Sequence, residues 1–173
     1  MFLIGTLVVY PAQGVGEIEK IDHRDIGGAP CDFYIVRIRS NRATLMVPVK
    51  NARAVGLRPL IDASEASAIL NRLQSDLTQA IFIGQNWNRR FREYTERLKS
   101  PSLEIVANVL RELLLIGRNK ELSFGERRLL EQAMSLVSEE LSEVLGQDVE
   151  SLRNDLLTLY APLPREEADL QDA

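Results

Sequence analysis

The residues best placed to do chemistry in this 173-residue chain gather around its single tryptophan. Trp87 opens the stretch NWNRRFREYTERLK, with Arg89, Arg90 and Arg92 beside it and Arg97 and Lys99 farther along. A large aromatic plate among guanidinium groups can press on a base step while neighbouring cations neutralise phosphates. The same residues have a plainer reading. As a helix over 86–99, Trp87, Phe91, Tyr94 and Leu98 recur at helical spacing and form one apolar stripe, with Asn88, Arg89, Arg92 and Lys99 on another side. Phe91, Tyr94 and Leu98 are then core, and Trp87 is the first core residue of an amphipathic helix. A position in the first turn, where a side chain can overhang the helix end, keeps both readings of Trp87 open.

Elsewhere the sequence offers no catalytic constellation. The one histidine, His23, lies in the polar run DHRD and reads as a solvated surface residue. No His, Cys and carboxylate cluster has metal-ligand spacing, so no metal is expected. The G-V-G of VVYPAQGVGEI follows a turn and leads into a strand with no helix behind it, which excludes a phosphate loop. No cofactor and no enzymatic activity are expected. The one cysteine, Cys31, excludes an internal disulfide framework and fits a reducing, cytoplasmic setting. No apolar run is long enough for a transmembrane helix, and MFLIGTLVVYP lacks the basic start of a signal peptide.

Two kinds of element must position the tryptophan segment. The first sixty or so residues read as strands over 3–10, 15–21, 33–39 and 43–49, with turns at 11–14, 25–30 and 40–42. In 33–39 Tyr34, Val36 and Ile38 face one side, and Phe33, Ile35, Arg37 and Arg39 the other. Four or five such strands make a small twisted barrel or half-barrel, which leaves an edge strand unpaired. From Asp62 onward the period is helical. Asp62 with Glu65 resembles a capping box, followed by Ala66, Ile69, Leu70, Leu73 and Leu77. Ser100 with Pro101 at the first helical position predicts a start for the stripe Leu103, Val106, Ala107, Leu110, Leu113 and Leu114. Ser123 and Glu126 form a capping box ahead of Leu129, Leu130, Ala133, Leu136, Val137 and Leu141, with Gly146 past the end. Asp148 opens a last helix that Pro162 stops, and the acidic REEADLQDA is expected to be a disordered tail. The expected organisation is α+β: a β-module over 1–62, a helical domain of about five helices over 63–162, and an acidic tail over 163–173.

The net charge is −4. A protein that holds nucleic acid unaided by counterion release is usually basic, so any contact with DNA here needs a second partner to bring it there.

Three stretches carry a family resemblance. VVYPAQGVGEIEKI and TLMVPVKNARAVGLRPLI resemble the N-terminal module of the CarD family of bacterial transcription regulators, a module similar to the polymerase-interacting domain of the transcription-repair coupling factor. NWNRRFREYTERL and LSFGERRLLEQA resemble the family's C-terminal helical domain. The likeness runs from Leu3 to about Tyr160. Nothing in the chain could be the coupling factor's helicase motor. The resemblance implies a Tudor-like module that binds the β1 lobe of the RNA polymerase β subunit. It also implies a helical domain that reaches promoter DNA at the upstream edge of the transcription bubble, wedges a tryptophan into the minor groove and stabilises the open complex. The tryptophan matches Trp87, and the basic positions match Arg89 and Arg90, with Arg92 and Lys99 as further DNA contacts. Polymerase contacts fall on Arg24 and on the strand Thr44, Leu45, Met46, Val47 and Pro48. Some relatives carry arginine where Met46 stands, so this chain lacks that charged contact, and an apolar one could replace it. The alternative is a protein–protein adaptor that uses Trp87 as its hot spot without touching DNA. A free-standing repressor fits the acidic balance poorly.

Overall fold

The structure is a computed structural model, and it describes residues 1–75 and 87–164. Five strands form one antiparallel sheet in the order β4-β3-β2-β1-β5: β1 Leu7–Tyr10, β2 Gly14–Ile26, β3 Ala29–Ile38, β4 Thr44–Pro48 and β5 Arg58–Pro59. A 3-10 turn at Val49–Asn51 joins β4 toward β5. Among the described residues five helices follow: α1 Ala63–Gln74, α2 Trp87–Leu98, α3 Leu103–Asn119, α4 Phe124–Leu145 and α5 Val149–Leu159. The fold is therefore α+β, a Tudor-like sheet followed by helices.

Alternation builds the sheet. Tyr34, Val36 and Ile38 turn inward to meet Val8, Ile18 and Val47 in a core of its own. Ile35 is buried too, although it lies on the other side of β3. A register shift between Ile18 and Lys20 bends β2. Two expectations about strand ends need correction. Residues 3–6 form a turn and not the start of β1, held by a bond from the Gly5 amide to the Ile18 carbonyl. The turn expected over 25–30 shrinks to Gly27 and Gly28, both at positive φ. Asp25 pairs with Pro30, and Ile26 with Ala29, so β2 and β3 run on as a two-stranded ribbon beyond the rest of the sheet.

The helical core is separate from that of the sheet. It gathers Leu73 of α1, Tyr94 and Leu98 of α2, the α3 stripe, and Ala133, Val137 and Leu141 of α4, closed by Leu152 and Leu156 of α5. The local signals for the helix ends hold in four cases, one of them Asp148, which caps α5 by accepting from the Ser151 amide at 2.9 Å. Asp62 accepts from the Glu65 amide at 2.8 Å, Ser123 and Glu126 form a reciprocal capping box, and Gly146 ends α4 in the left-handed region. The start of α3 is different. It begins at Leu103 with Ser102 before it, and the Ser100 hydroxyl accepts from the Ser102 amide at 3.1 Å. Pro101 thus belongs to the approach, and its carbonyl is taken by Arg58 of β5. Leu77, Asn86 and the acidic residues 165–173 lie outside the described residues.

Candidate nucleic-acid interface

Helix α2 places the tryptophan segment, and it does so with its faces rotated from the sequence pattern. Tyr94 and Leu98 are buried as expected, but Phe91 is 40 % exposed and Arg90 is buried in its place. The cause is tertiary. Trp87 leans on α4, where the site of a Cβ on Gly125 would lie 3.1 Å from its ring, and Phe91 follows it to the outer edge of the same contact. The Trp87 and Phe91 rings are tilted, with centroids 5.6 Å apart. Arg90 lies beneath, its guanidinium 5.6 Å from the centre of the Trp87 ring, a distance at which a cation is attracted to the π-face. Two of its nitrogens, Nε and Nη1, are buried without a hydrogen-bond partner among the described residues. Trp87 itself is half-buried and borders the helical core.

The five expected DNA-binding residues therefore do not form one surface. The half-buried Trp87 and the exposed Arg89 and Arg92 all lie in the first turns of α2, but the two arginines are on a different side of the helix from the ring. Arg89 and Arg92 make no ion pair among the described residues. Arg90 is directed into the fold, where it supports the tryptophan ring. Lys99 lies past the other end of the helix, twelve residues and about 18 Å along the axis, and pairs with Glu96 at 3.2 Å. Arg97 also points elsewhere, onto Glu112 of α3 at 3.1 Å. Burial together with Glu112 pushes the Tyr94 hydroxyl far above the usual phenol range, so it stays protonated in the α2–α3 contact.

One residue of this surface escaped the sequence reading. Phe124 is the first residue of α4, next to Gly125, and is 77 % exposed. The sequence carries no distinct signal for it, since Phe124 directly follows the N-cap, ahead of the apolar stripe of α4. Phe91, Phe124 and Gly125 line an open groove of about 630 Å³ that also takes in Arg128 and Gln132. Arg128 is exposed and makes no ion pair among the described residues.

The polymerase-side residues fall on β4 and on the ribbon. Among the described residues β4 pairs only with β3, so its other side is a free edge there. Thr44 and Met46 are exposed, Val47 is buried, and Leu45 and Pro48 are half-buried. The Ile38 amide bonds to the Ala43 carbonyl at 2.8 Å. Hydrogen-bonded pairs alternate along an antiparallel ladder, so Leu45 exchanges bonds with Val36 while the amides of Thr44 and Met46 point outward. Arg24 sits on the ribbon opposite Cys31, beyond the end of β4, and is held by Asp22 at 3.0 Å. His23 is solvated and bonded to Asp32 at 2.6 Å. Among the described residues no group of His, Cys, Asp and Glu could hold a metal ion, and no helix is long and apolar enough to cross a membrane.

Comparison with known proteins adds to this geometry. Residues 2–61 match the family described as CarD-like/TRCF RID domain, and residues 68–156 match CarD, C-terminal domain. YdeB of Bacillus subtilis (strain 168), described as a candidate transcription factor, is 26 % identical over 146 residues, spanning 84 % of this chain and 94 % of its own. Among solved structures, CdnLNt from Myxococcus xanthus is 41 % identical, covering 35 % of this chain and 86 % of its own with a TM-score of 0.31.

Proposed function

This chain belongs to the CarD family, and we propose that it regulates transcription initiation by holding RNA polymerase at one end and the upstream edge of the melted promoter at the other. Membership in a family of transcription factors supports the regulatory role. The N-terminal module belongs to a polymerase-interacting class, and its partner is the β1 lobe of the β subunit. The free edge of β4 supplies the means: an unpaired row of amides and carbonyls accepts an added strand, with the Met46 side chain on it and Arg24 on the ribbon beyond its end. Trp87 then enters the minor groove at the bubble edge, Arg89 and Arg92 meet the flanking phosphates, and Arg90 keeps the ring in place. The open complex is stabilised because the wedged junction recloses more slowly. No reaction is catalysed and no cofactor is used. The protein works in the cytoplasm, on the nucleoid, wherever polymerase is.

The observation that carries this reading is a half-buried Trp87 with Arg90 beneath its ring, at the head of a helix whose Arg89 and Arg92 are exposed and have no ion pair among the described residues. The negative net charge fits it through tethering. Binding to polymerase raises the local concentration of the helical domain at DNA, so a small basic patch suffices. The adaptor reading is favoured by one feature, the exposed Phe124, which a protein partner could also cover.

Replacing Trp87 with alanine separates these readings. The variant should keep polymerase affinity and lose most of the open-complex lifetime conferred by the protein. Losing an aromatic contact of this kind costs about 1–3 kcal/mol, roughly a five- to hundredfold change. If Trp87 were mainly core, the same change would instead lower stability by about 3–5 kcal/mol. Melting temperature and open-complex half-life measured on one variant decide the matter. A well-folded Trp87→Ala protein with an unaltered half-life removes the wedge.

A further inference from the structure

We propose that the groove between α2 and α4 receives one unpaired base of the promoter strand beside the Trp87 wedge, with Phe124 as its stacking plate. The inference rests on the DNA reading above and adds a second contact of a different kind. Its basis is the groove's chemistry. Phe124 presents a ring that is 77 % exposed, and Phe91 presents one that is 40 % exposed across the same opening. A paired base shows only its edge in a groove of the duplex, whereas stacking requires a free base face. Such faces are available only where the strands have parted.

The polar lining suits a base and its backbone. Arg128 supplies a cation without an ion pair among the described residues. The Gln132 amide can both donate to and accept from a base edge. The Thr95 hydroxyl gives its proton to the Phe91 carbonyl at 2.7 Å, which leaves its oxygen as an acceptor. The one carboxylate, Glu131, is held by Arg153 at 2.5 Å, so its charge is compensated within the protein. The volume of about 630 Å³ lies within the usual range of small-ligand sites. The groove is also continuous with Trp87, since Gly125 touches Trp87 and lines the groove. A strand split by the tryptophan would have its first unpaired base at this opening.

The test uses the full-length protein with polymerase and a promoter fork in which the first unpaired position carries a normal base or an abasic residue. On the normal fork Phe124→Ala should shorten complex lifetime by about five- to a hundredfold. On the abasic fork it should change little, because the missing base and the missing ring remove the same contact. Phe124→Tyr keeps a ring and should restore the normal lifetime. The exposed position of Phe124 leaves the core untouched, and an unchanged melting temperature confirms this. Equal shortening on both forks would overturn the proposal in favour of a protein segment lying in the groove. No shortening on either would overturn it outright. Trp87→Ala on the same forks tells the two failures apart: if it shortens lifetime while Phe124→Ala does not, only the groove assignment falls, and if it too is silent the DNA reading falls with it.

Discussion

Gly125 shows how one missing side chain sets the candidate site. A Cβ there would stand 3.1 Å from the Trp87 ring, so any larger residue would require the ring to give by a few tenths of an ångström, and glycine lets it rest on α4 at this distance. Valine at this position would place branched carbons into the ring and lift it from its seat. Glycine is a poor helix former, and valine is no worse in a first turn, so the helix itself should tolerate the change. We expect Gly125→Val to melt within a few degrees of the parent while its effect on open-complex lifetime is lost. Retention of the full effect would mean that Trp87 acts without this seat. The tryptophan and its arginines were legible in the sequence because a unique large aromatic beside cations is a chemical pattern. The exchange of Phe91 and Arg90 was not, since both lie near the boundary of the α2 stripe and only contact with α4 decides which turns inward. Phe124 was not legible either: it directly follows the N-cap Ser123, ahead of the apolar stripe that begins at Leu129, and no spacing singles it out.

At the scale of elements, periodicity was the dependable signal and ends were not. The stripes of α3, α4 and α5 and the alternation in β3 follow directly from residue spacing. The start of α3 departs from the Ser-Pro rule because the Pro101 carbonyl is engaged by Arg58, forty-three positions earlier, which no local pattern reveals. The free edge of β4 was foreseeable from the small number of strands, but its hydrogen-bond phase was not, and the phase governs how the edge can be tested. Leu45 exchanges bonds with Val36 inside the sheet, whereas the Met46 amide faces outward. Proline is tolerated in a strand only where the lost N–H faces away from the sheet. Met46→Pro should therefore leave the sheet folded and abolish polymerase binding, while Leu45→Pro should unfold the module. Circular dichroism and a polymerase pull-down on both variants check this. A Met46→Pro protein that is folded and still binds normally would move the interface off this edge.

Across the whole molecule, α4 is the element that relates the two candidate interfaces. Gly125 near its start seats the tryptophan, and Glu140, fifteen residues on and about 22 Å along the axis, reaches the β5 side of the sheet. The Glu140 side chain is 1 % exposed. Its carboxylate accepts two bonds from Arg58, at 2.7 and 2.8 Å, and a third from the Ile61 amide at 3.0 Å. Arg58 also donates to the Pro101 carbonyl at 2.5 Å. A second pair, Arg39 with Glu143 at 2.6 Å, bridges the same two units but is much more exposed, so salt screens it and it contributes little. The buried cluster, with the packing of α4 on β2, holds the spacing between the β4 edge and the Trp87 end. Glu140→Ala should cost about 3–5 kcal/mol, because it leaves the Arg58 charge without its partner and the Ile61 amide without an acceptor. Glu140→Gln is the more informative change, since it can keep a carbonyl for Ile61 and removes the charge together with one of the two Arg58 bonds, the amide NH2 being unable to accept. Each core is built without Glu140, so both units should stay folded and polymerase binding should persist. With the spacing loosened, however, the effective concentration of Trp87 at the bubble edge falls, and open-complex lifetime should fall with it. Small-angle scattering would register the added freedom between the units, and promoter kinetics its consequence. A looser molecule with an undiminished lifetime would show that the tether alone, without a fixed geometry, is enough for function.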